Sequence, residues 1–502
     1  MSWCAMGGRL NKLLSRRTGL IVMLCLTTAI LLLLFQSTRA GGVLRLVLQY
    51  SAPAKMSPIV DPFLIDVEER TFRFFWDTAN PKNGLIPDRF PTPSYSSVAA
   101  VGFGLTSYPV AVERGYVTRK QARQRVLATL RFFRNAPQGH SVTGTAGYKG
   151  FFYHFLDMKT GLRFEDSELS TVDTAILLAG ALFCQSYFDS SHPDEVEIRR
   201  LVDEIYGRVD WQWAQPRGPA INLGWSPEDG FLDYDWRGYN EAMLIYLLAL
   251  GSPTHPVGPE AWTEWTSTYD ATSWRTLFGQ EFLNFGPLFG HQYTHVWIDF
   301  RKLQDPYMRR RGLDYFENTR RAIYAQQAYA IANPRGCKDY GATIWGLTAS
   351  DGPADMELVQ GSTARLYRTY AARGAGDKGT YDDCTLAPTA AVASLPFAPE
   401  LAIPAVLDMH KRYGEYIYSQ YGFLDAFNRN FDFAGPVPTG KCIPGFGWVG
   451  GDYLGIDQGA IVAMIENYRS SMIWTVMRKN PYIRQGLTKA GFEGGWLTAS
   501  TQ

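Results

Sequence analysis

No excess of charge marks this 502-residue chain: 49 Lys and Arg stand against 48 Asp and Glu, a formal net charge of +1. Nucleic-acid binding asks for a clear basic surplus on one face, so the balance argues against it. Cysteine is scarce as well, with six in all. Neither a CxxC pair nor a histidine cluster is present, which speaks against a structural zinc site. After residue 60 no Pro/Ser-rich tract or charge block interrupts the sequence, no fixed-period repeat recurs, and convincing alternating strands are scarce. What remains is one helical domain from about Asp61 to the end.

One long hydrophobic run does occur. Arg9, Lys12, Arg16 and Arg17 precede an uncharged stretch from Leu20 to Phe35, and Ser37-Thr38-Arg39-Ala40 then leads to Gly41-Gly42. A basic lead, an apolar core and a small-residue exit describe an export signal. The run also approaches the ~18 residues of a short membrane span. Residues 1–42 are therefore expected to be a signal peptide or an N-terminal anchor held through residues 20–35, and 43–60 a linker. The domain from 61 to 502 is expected outside the cytoplasm, in the periplasm, touching a membrane only through that segment. Cys25 lacks the small residues that a lipoprotein signal needs. Of the later cysteines, Cys184 sits in an apolar helix and should pack as a small hydrophobe. Cys337, Cys384 and Cys442 lie in loop-like sequence, where an oxidising compartment could pair two of them.

Hydrophobic residues make up 46% of the chain, enough for a large core, and 14 Trp and 28 Tyr offer flat rings suited to sugar faces as well as to cores. Apolar helices followed by glycine-rich aromatic loops recur at 61–78, 97–114, 118–134, 168–188, 195–210, 239–250, 312–331, 399–413 and 457–469. In 168–188, Val172, Ala175, Ile176, Ala179 and Phe183 share one face, yet Leu177, Leu178 and Leu182 make the other faces apolar too. Segment 118–134 instead carries six basic residues and has a wet side. Alternation of wholly buried and half-exposed helices is what a double ring requires. The expected fold is all-α, an (α/α)6 toroid with short loop-borne β segments.

Three acids stand at the mouths of buried helices: Glu168 before an apolar run, Glu241 after Tyr234-Asp235-Trp236-Arg237-Gly238-Tyr239-Asn240, and Asp457 in Gly455-Ile456-Asp457-Gln458-Gly459. Any one of them reads as a helix-terminal charge offsetting the dipole, and Ser170 with Asp173 reads as a capping box. Three such mouths approached through Gly, Trp and Tyr point further. Inner-helix N-termini of a toroid converge on one cavity, and glycosidic cleavage needs one protonated and one ionised carboxyl there. Desolvation against Trp236 and Tyr239 makes Glu241 the candidate acid. Asp457 or Glu168 is then the base, a choice the sequence leaves open.

At these segments the chain resembles the bacterial glucoamylase-like family related to glycoside hydrolase family 144. The matching stretches include Gly147-Tyr148-Lys149-Gly150-Phe151-Phe152-Tyr153-His154, Ser167-Glu168-Leu169-Ser170-Thr171-Val172-Asp173, His295-Val296-Trp297-Ile298-Asp299-Phe300-Arg301, Trp345-Gly346-Leu347-Thr348-Ala349-Ser350-Asp351-Gly352 and the segments around Glu241 and Asp457. The resemblance implies an (α/α)6 toroid, endo-acting and inverting hydrolysis of β-1,2-glucan, and importance for Glu168 and Glu241. A related branch transfers glycosyl groups, so transglycosylation is an alternative, as is a protein that holds a glycan without cleaving it. A polysaccharide lyase is a third reading.

The expected substrate-binding set is Trp225, Trp236 and Trp345 as sugar platforms, Tyr148, Lys149 and Tyr239 as walls, and His295, Asp299 and Arg301 lining the cavity, with a buried Asp299–Arg301 ion pair as the competing reading. Asp351 reads as a turn residue on a rim loop, and Asp173 as a cap supporting Glu168. No cofactor or metal is called for, the partner is an oligo- or polysaccharide, and a monomer is expected.

Overall fold

The computed structural model describes residues 61–360, 363–376 and 380–498. The expected signal or anchor (1–42) and linker (43–60) lie outside the described residues. Among those described, no helix is long and apolar enough to cross a membrane.

Two concentric rings of helices form an (α/α)6 toroid. The inner ring is α2 (Val98–Arg114), α4 (Thr171–Tyr187), α6 (Met243–Gly251), α8 (Phe289–Trp297), α11 (Pro388–Val392) and α13 (Gly455–Arg469), each buried on nearly every side. The outer ring contains α1 (Pro62–Thr78), α3 (Arg119–Asn135), α5 (Pro193–Gly207), α7 (Glu260–Thr266), α10 (Tyr315–Ala332) and α12 (Pro399–Ile417), whose other faces meet water. Three further helices complete the set: α9 (Pro306–Arg311), α14 (Met472–Met477) and α15 (Pro481–Lys489), the last packed against α6.

Inner helices need small residues where their backbones meet. A Cβ on Gly180 of α4 would lie 2.0 Å from the Gly102 carbonyl oxygen of α2, and one on Gly102 would lie 2.3 Å from the Ile176 carbonyl oxygen. Only glycine permits that approach. At the C-terminal end of the inner ring, Arg114 pairs with Glu466 and Arg469 with Glu68, tying α1, α2 and α13 together.

The opposite end, where the inner helices begin, carries the largest sheet among the described residues. Five short strands (Gly147–Tyr148, Phe151–Tyr153, Leu169–Ser170, Gly224–Ser226 and Gly230–Phe231) form one antiparallel sheet, with Phe152 opposite Ser170 and Leu169 opposite Trp225. This pairing shortens two helices relative to the sequence reading. Leu169 and Ser170 are strand, so α4 starts at Thr171 and not at 168. The Asn240 side chain accepts from the Ala242 N–H, and α6 starts at Met243 and not at 239. Helices α7, α8, α9, α11, α14 and α15, each nine residues or fewer, were not anticipated, because periodicity needs more turns than that to declare itself.

A disulfide joins Cys337 to Cys384 across 47 residues, which leaves Cys442 and the buried Cys184 as thiols. Cys184 packs in the core as its apolar context suggested.

Candidate active site

Two carboxylate groups flank the mouth. The first is built on the five-stranded sheet and the start of α4. Ser170 caps α4: its hydroxyl accepts the Asp173 N–H at 3.2 Å and donates to the Asp173 carboxylate. His154, at the edge of the same sheet, places Nδ1 2.9 Å from Glu168 and Nε2 3.6 Å from Asp173, with its ring stacked on Phe155. Burial works against the imidazolium, but the carboxylates around it raise its pKa to about 9. The consequence for Glu168 is the reverse. Burial alone would push that carboxyl up; the bond and charge of His154 outweigh burial and bring it below the usual glutamate value.

Glu241 lies just before α6 and has no such cation. One of its carboxylate oxygens, Oε2, is buried with no hydrogen-bond partner. Burial, reinforced by the negative charge of Asp173, lifts its pKa to about 7. Asp173 is thus electrostatically linked to Glu241, Glu168 and His154. The neighbouring Trp236 is half-buried and donates from Nε1 to the Thr171 hydroxyl at 3.1 Å, at the first residue of α4.

The second group is an aspartate cluster. Asp457, in the first turn of α13, is buried, accepts from the Tyr293 hydroxyl at 3.4 Å, and is pushed up to about 7 by burial. Asp425 is raised well above the usual aspartate value by burial and by Asp457. Oδ1 of Asp425 and Oδ2 of Asp457 are buried with no other partner, so a proton held by Asp425 and offered to Asp457 satisfies both. Asp425 also accepts the Asp351 N–H at 2.7 Å, and Asp351 pairs with Arg89 at 2.9 Å. Asp88, next to Arg89, feels both His154 and Asp173, and its own field reaches Asp457, which joins the two groups. Tyr370 faces Asp351 across a strand pair and is 49% exposed.

Glu168, Glu241 and Asp457 are accordingly gathered at one end of the ring, in two linked groups. Other expected residues are placed elsewhere. His295 is 1% exposed among Phe300, Phe316 and Phe397, bonded to Thr319, and burial depresses its pKa to about 3. Asp299 is buried in ion pairs with Arg301 and Arg478, and Arg301 lies over Trp474 at 4.6 Å. These three stand at and beyond the C-terminal end of α8, whereas the acids cluster where inner helices begin. Asp299 lies past the end of α8, so a four-residue spacing from His295 does not put the two on one helix face. The competing ion-pair reading is the one realised.

Trp345 is wholly buried in the core, and Tyr239 is buried with its ring parallel to that of Tyr315 and its hydroxyl 3.1 Å from His291. Neither presents a face to a sugar. Trp225 is buried against Tyr148, Trp213 and His140, supporting the sheet from behind Glu168. Tyr148 keeps a half-exposed position in that aromatic group, and Lys149 is drawn to Asp210 at 3.3 Å. Sequence reasoning missed His154, Asp88, Arg89 and Asp425 and read Asp351 as a turn residue. The available signal for His154 was its place in the quoted Gly147–His154 stretch.

A family model described as "Putative glucoamylase" matches residues 233–481. A solved structure from Bacteroides uniformis with the same description is 30% identical, covers 87% of this chain and 98% of its own, and has a TM-score of 0.72. An endo-beta-1,2-glucanase from Chitinophaga pinensis, solved with sophorotriose and glucose, is 29% identical over 86% of this chain and 98% of its own, with a TM-score of 0.72. The exo beta-1,2-glucooligosaccharide sophorohydrolase (non-reducing end) of Parabacteroides distasonis is 28% identical over 464 residues; the match takes in 86% of this chain, which spans 58% of that relative's length. With its double ring and its end-to-end likeness to the Bacteroides structure, the chain belongs to the glucoamylase-like family.

Proposed function

We propose that the protein is a glycoside hydrolase that cleaves β-1,2-glucan by inversion, with Glu241 as general acid and Glu168 as general base. The observation that carries this reading is the opposite displacement of two glutamates at one mouth. Glu241, raised to about 7, keeps its proton near neutrality and has an unengaged oxygen from which to deliver it. Glu168, held below its usual value by His154, stays ionised and can take a proton from water. Inversion divides the labour in this way: the acid protonates the leaving oxygen while the base activates water on the opposite face of the sugar.

Between the two bases left open by the sequence, electrostatics favour Glu168. Asp457, raised to about 7 and tied to Asp425, holds a proton over part of the neutral range, whereas Glu168 is already ionised and free to accept one. The likeness to a beta-1,2-glucanase and to a sophorohydrolase supports the choice of linkage. The test is incubation of the purified protein with linkage-defined glucans, following reducing ends and anomeric configuration. Release from β-1,2-glucan with inverted product supports the reading, and release only from another linkage rejects it.

We also propose that the protein is exported and acts in the periplasm as a monomer, retained at the membrane through residues 20–35. The apolar run of the sequence and the Cys337–Cys384 disulfide support export, since such bonds persist in oxidising compartments. Fractionation and size-exclusion chromatography test location and assembly.

A further inference from the structure

Beside the aspartate cluster a groove of about 820 Å³ opens at the same end of the ring. Its walls come from three places: the loop after Arg89, the end of α12 with the hairpin that follows, and the segments around 438–441 and 450–453. Such a volume lies within the roughly 300–1,000 Å³ of ligand sites. The lining is mixed. Phe90, Tyr416 and Tyr418 are half-buried rings, and Glu415, Gln420 and Lys441 are exposed polar side chains around them. Apolar ring faces flanked by hydrogen-bonding groups match the alternating faces and hydroxyl edges of pyranose units. A second trough, about 660 Å³, continues from it and shares Gly440 and Lys441.

Continuity with the catalytic end is made by Arg89. Its guanidinium pairs with Asp351 of the cluster at 2.9 Å and approaches Asp452, a groove-lining residue, at 4.0 Å. The backbone repeats the link: Arg89 pairs with Leu454 and Phe90 with Tyr453, and α13 with Asp457 begins at the next residue. A chain leaving the carboxylates on this side would enter the groove directly.

We propose that this groove is a glucan-binding subsite that holds sugar units remote from the scissile bond, so that the protein discriminates by chain length. The inference rests on the hydrolase reading for the direction of the chain, but the groove's affinity for glucan is separate from cleavage. Loss of its polar rim should weaken long chains more than a trisaccharide, because a longer chain places more of its units in the groove.

The experiment compares the full-length protein with the triple variant Glu415→Ala/Gln420→Ala/Lys441→Ala and with Gln420→Trp, which fills the groove from its exposed rim. The readout is the ratio of kcat/KM on β-1,2-glucan of about twenty units to that on the trisaccharide. Both variants should lower this ratio by about tenfold, the usual scale for a few lost contacts. A ratio equal to that of the parent in both variants overturns the proposal, as does an equal fall on both substrates. Calorimetric titration with the same two glucans is run in parallel. If the parent fails to cleave, the hydrolase reading falls, while a long-chain affinity that the variants lose still upholds the groove, and one they keep overturns it.

Discussion

Nδ1 of His154 stands 2.9 Å from a carboxylate oxygen of Glu168, while the other ring nitrogen faces Asp173 at 3.6 Å. The imidazolium is thereby placed beside Glu168, the proposed base, and leaves Glu241 with the charge of Asp173. One cation so located separates two chemically identical side chains into an ionised and a protonated glutamate. His154→Gln should lower kcat/KM by about 10²-fold, the lower end of what acid–base assistance contributes. Its acid limb should also move up, because burial of Glu168 then loses its main opposing charge. A variant with reduced activity but an unmoved acid limb would show His154 to be structural only.

The pH profile follows from the same asymmetry. Glu241 must be protonated, so kcat/KM of the parent should fall as pH rises through about 7. Glu168 must be ionised, so the acid limb should lie below the usual glutamate range. Initial rates at saturating and limiting substrate across pH 3 to 10 check both limbs.

Stability should track pH through the raised groups, His154 and Glu241 among them. The folded-state pKa of His154 is raised to about 9, so its contribution is complete below its unfolded value and disappears as pH rises through 9. Glu241 has the same sign, since the folded state favours its protonated form, and stability declines from about 4.5 to about 7 as the unfolded state ionises first. Thermal melts should therefore show a falling Tm from pH 5 to pH 9.5. Glu241→Gln should flatten the lower part of that slope and His154→Gln the upper part.

Direct replacement of the two glutamates ranks the candidates. Glu241→Gln should reduce kcat by about 10²–10⁴-fold without loss of fold, because an amide fills the same buried space but has no acidic proton. Glu168→Gln should fall in the same range, and Asp457→Asn should lose less. A larger loss for Asp457→Asn than for Glu168→Gln reassigns the base.

Gly180→Ala is the stability test of the ring. Its Cβ would stand 2.0 Å from the Gly102 carbonyl oxygen, a backbone atom that cannot swing aside. The change should cost about 2–4 kcal/mol, in the upper range of single overpacking substitutions. A Tm within a degree of the parent would contradict the close approach.

Much of the ring was legible from residue type alone. Apolar residues on every face of 168–188 predict a helix with neighbours all round, and α4 is the observed result. Asp457 was also legible, because a helix N-terminus is a local feature and α13 starts where the apolar run starts. Long-range pairing was not. The strand Leu169–Ser170 exists only because Phe152–Tyr153 and Gly224–Trp225 flank it from 17 and 55 residues away, and no local pattern announces this. The same holds for Asp425, which has an ordinary sequence context and acquires its role only by lying against Asp457 and the Asp351 backbone. His295 shows the opposite failure. It was read as lining the cavity, but position along the ring axis depends on where α8 begins, and that nine-residue helix left too little periodicity to locate its start.

The contact between Gly102 and Gly180 has a mechanical meaning for the mouth above it. Two backbones in touch cannot slide or tilt apart by small steps, so α2 and α4 move as one beam. His154, Glu168 and Asp173 are carried on the end of that beam, through Ser170 and the pairing of Ser97 with Phe155. Glu241 is mounted differently, on the turn that leads into α6, outside this clamped pair. Under the proposed assignment, adjustment to an arriving sugar should fall on Glu241, with Glu168 as the fixed point.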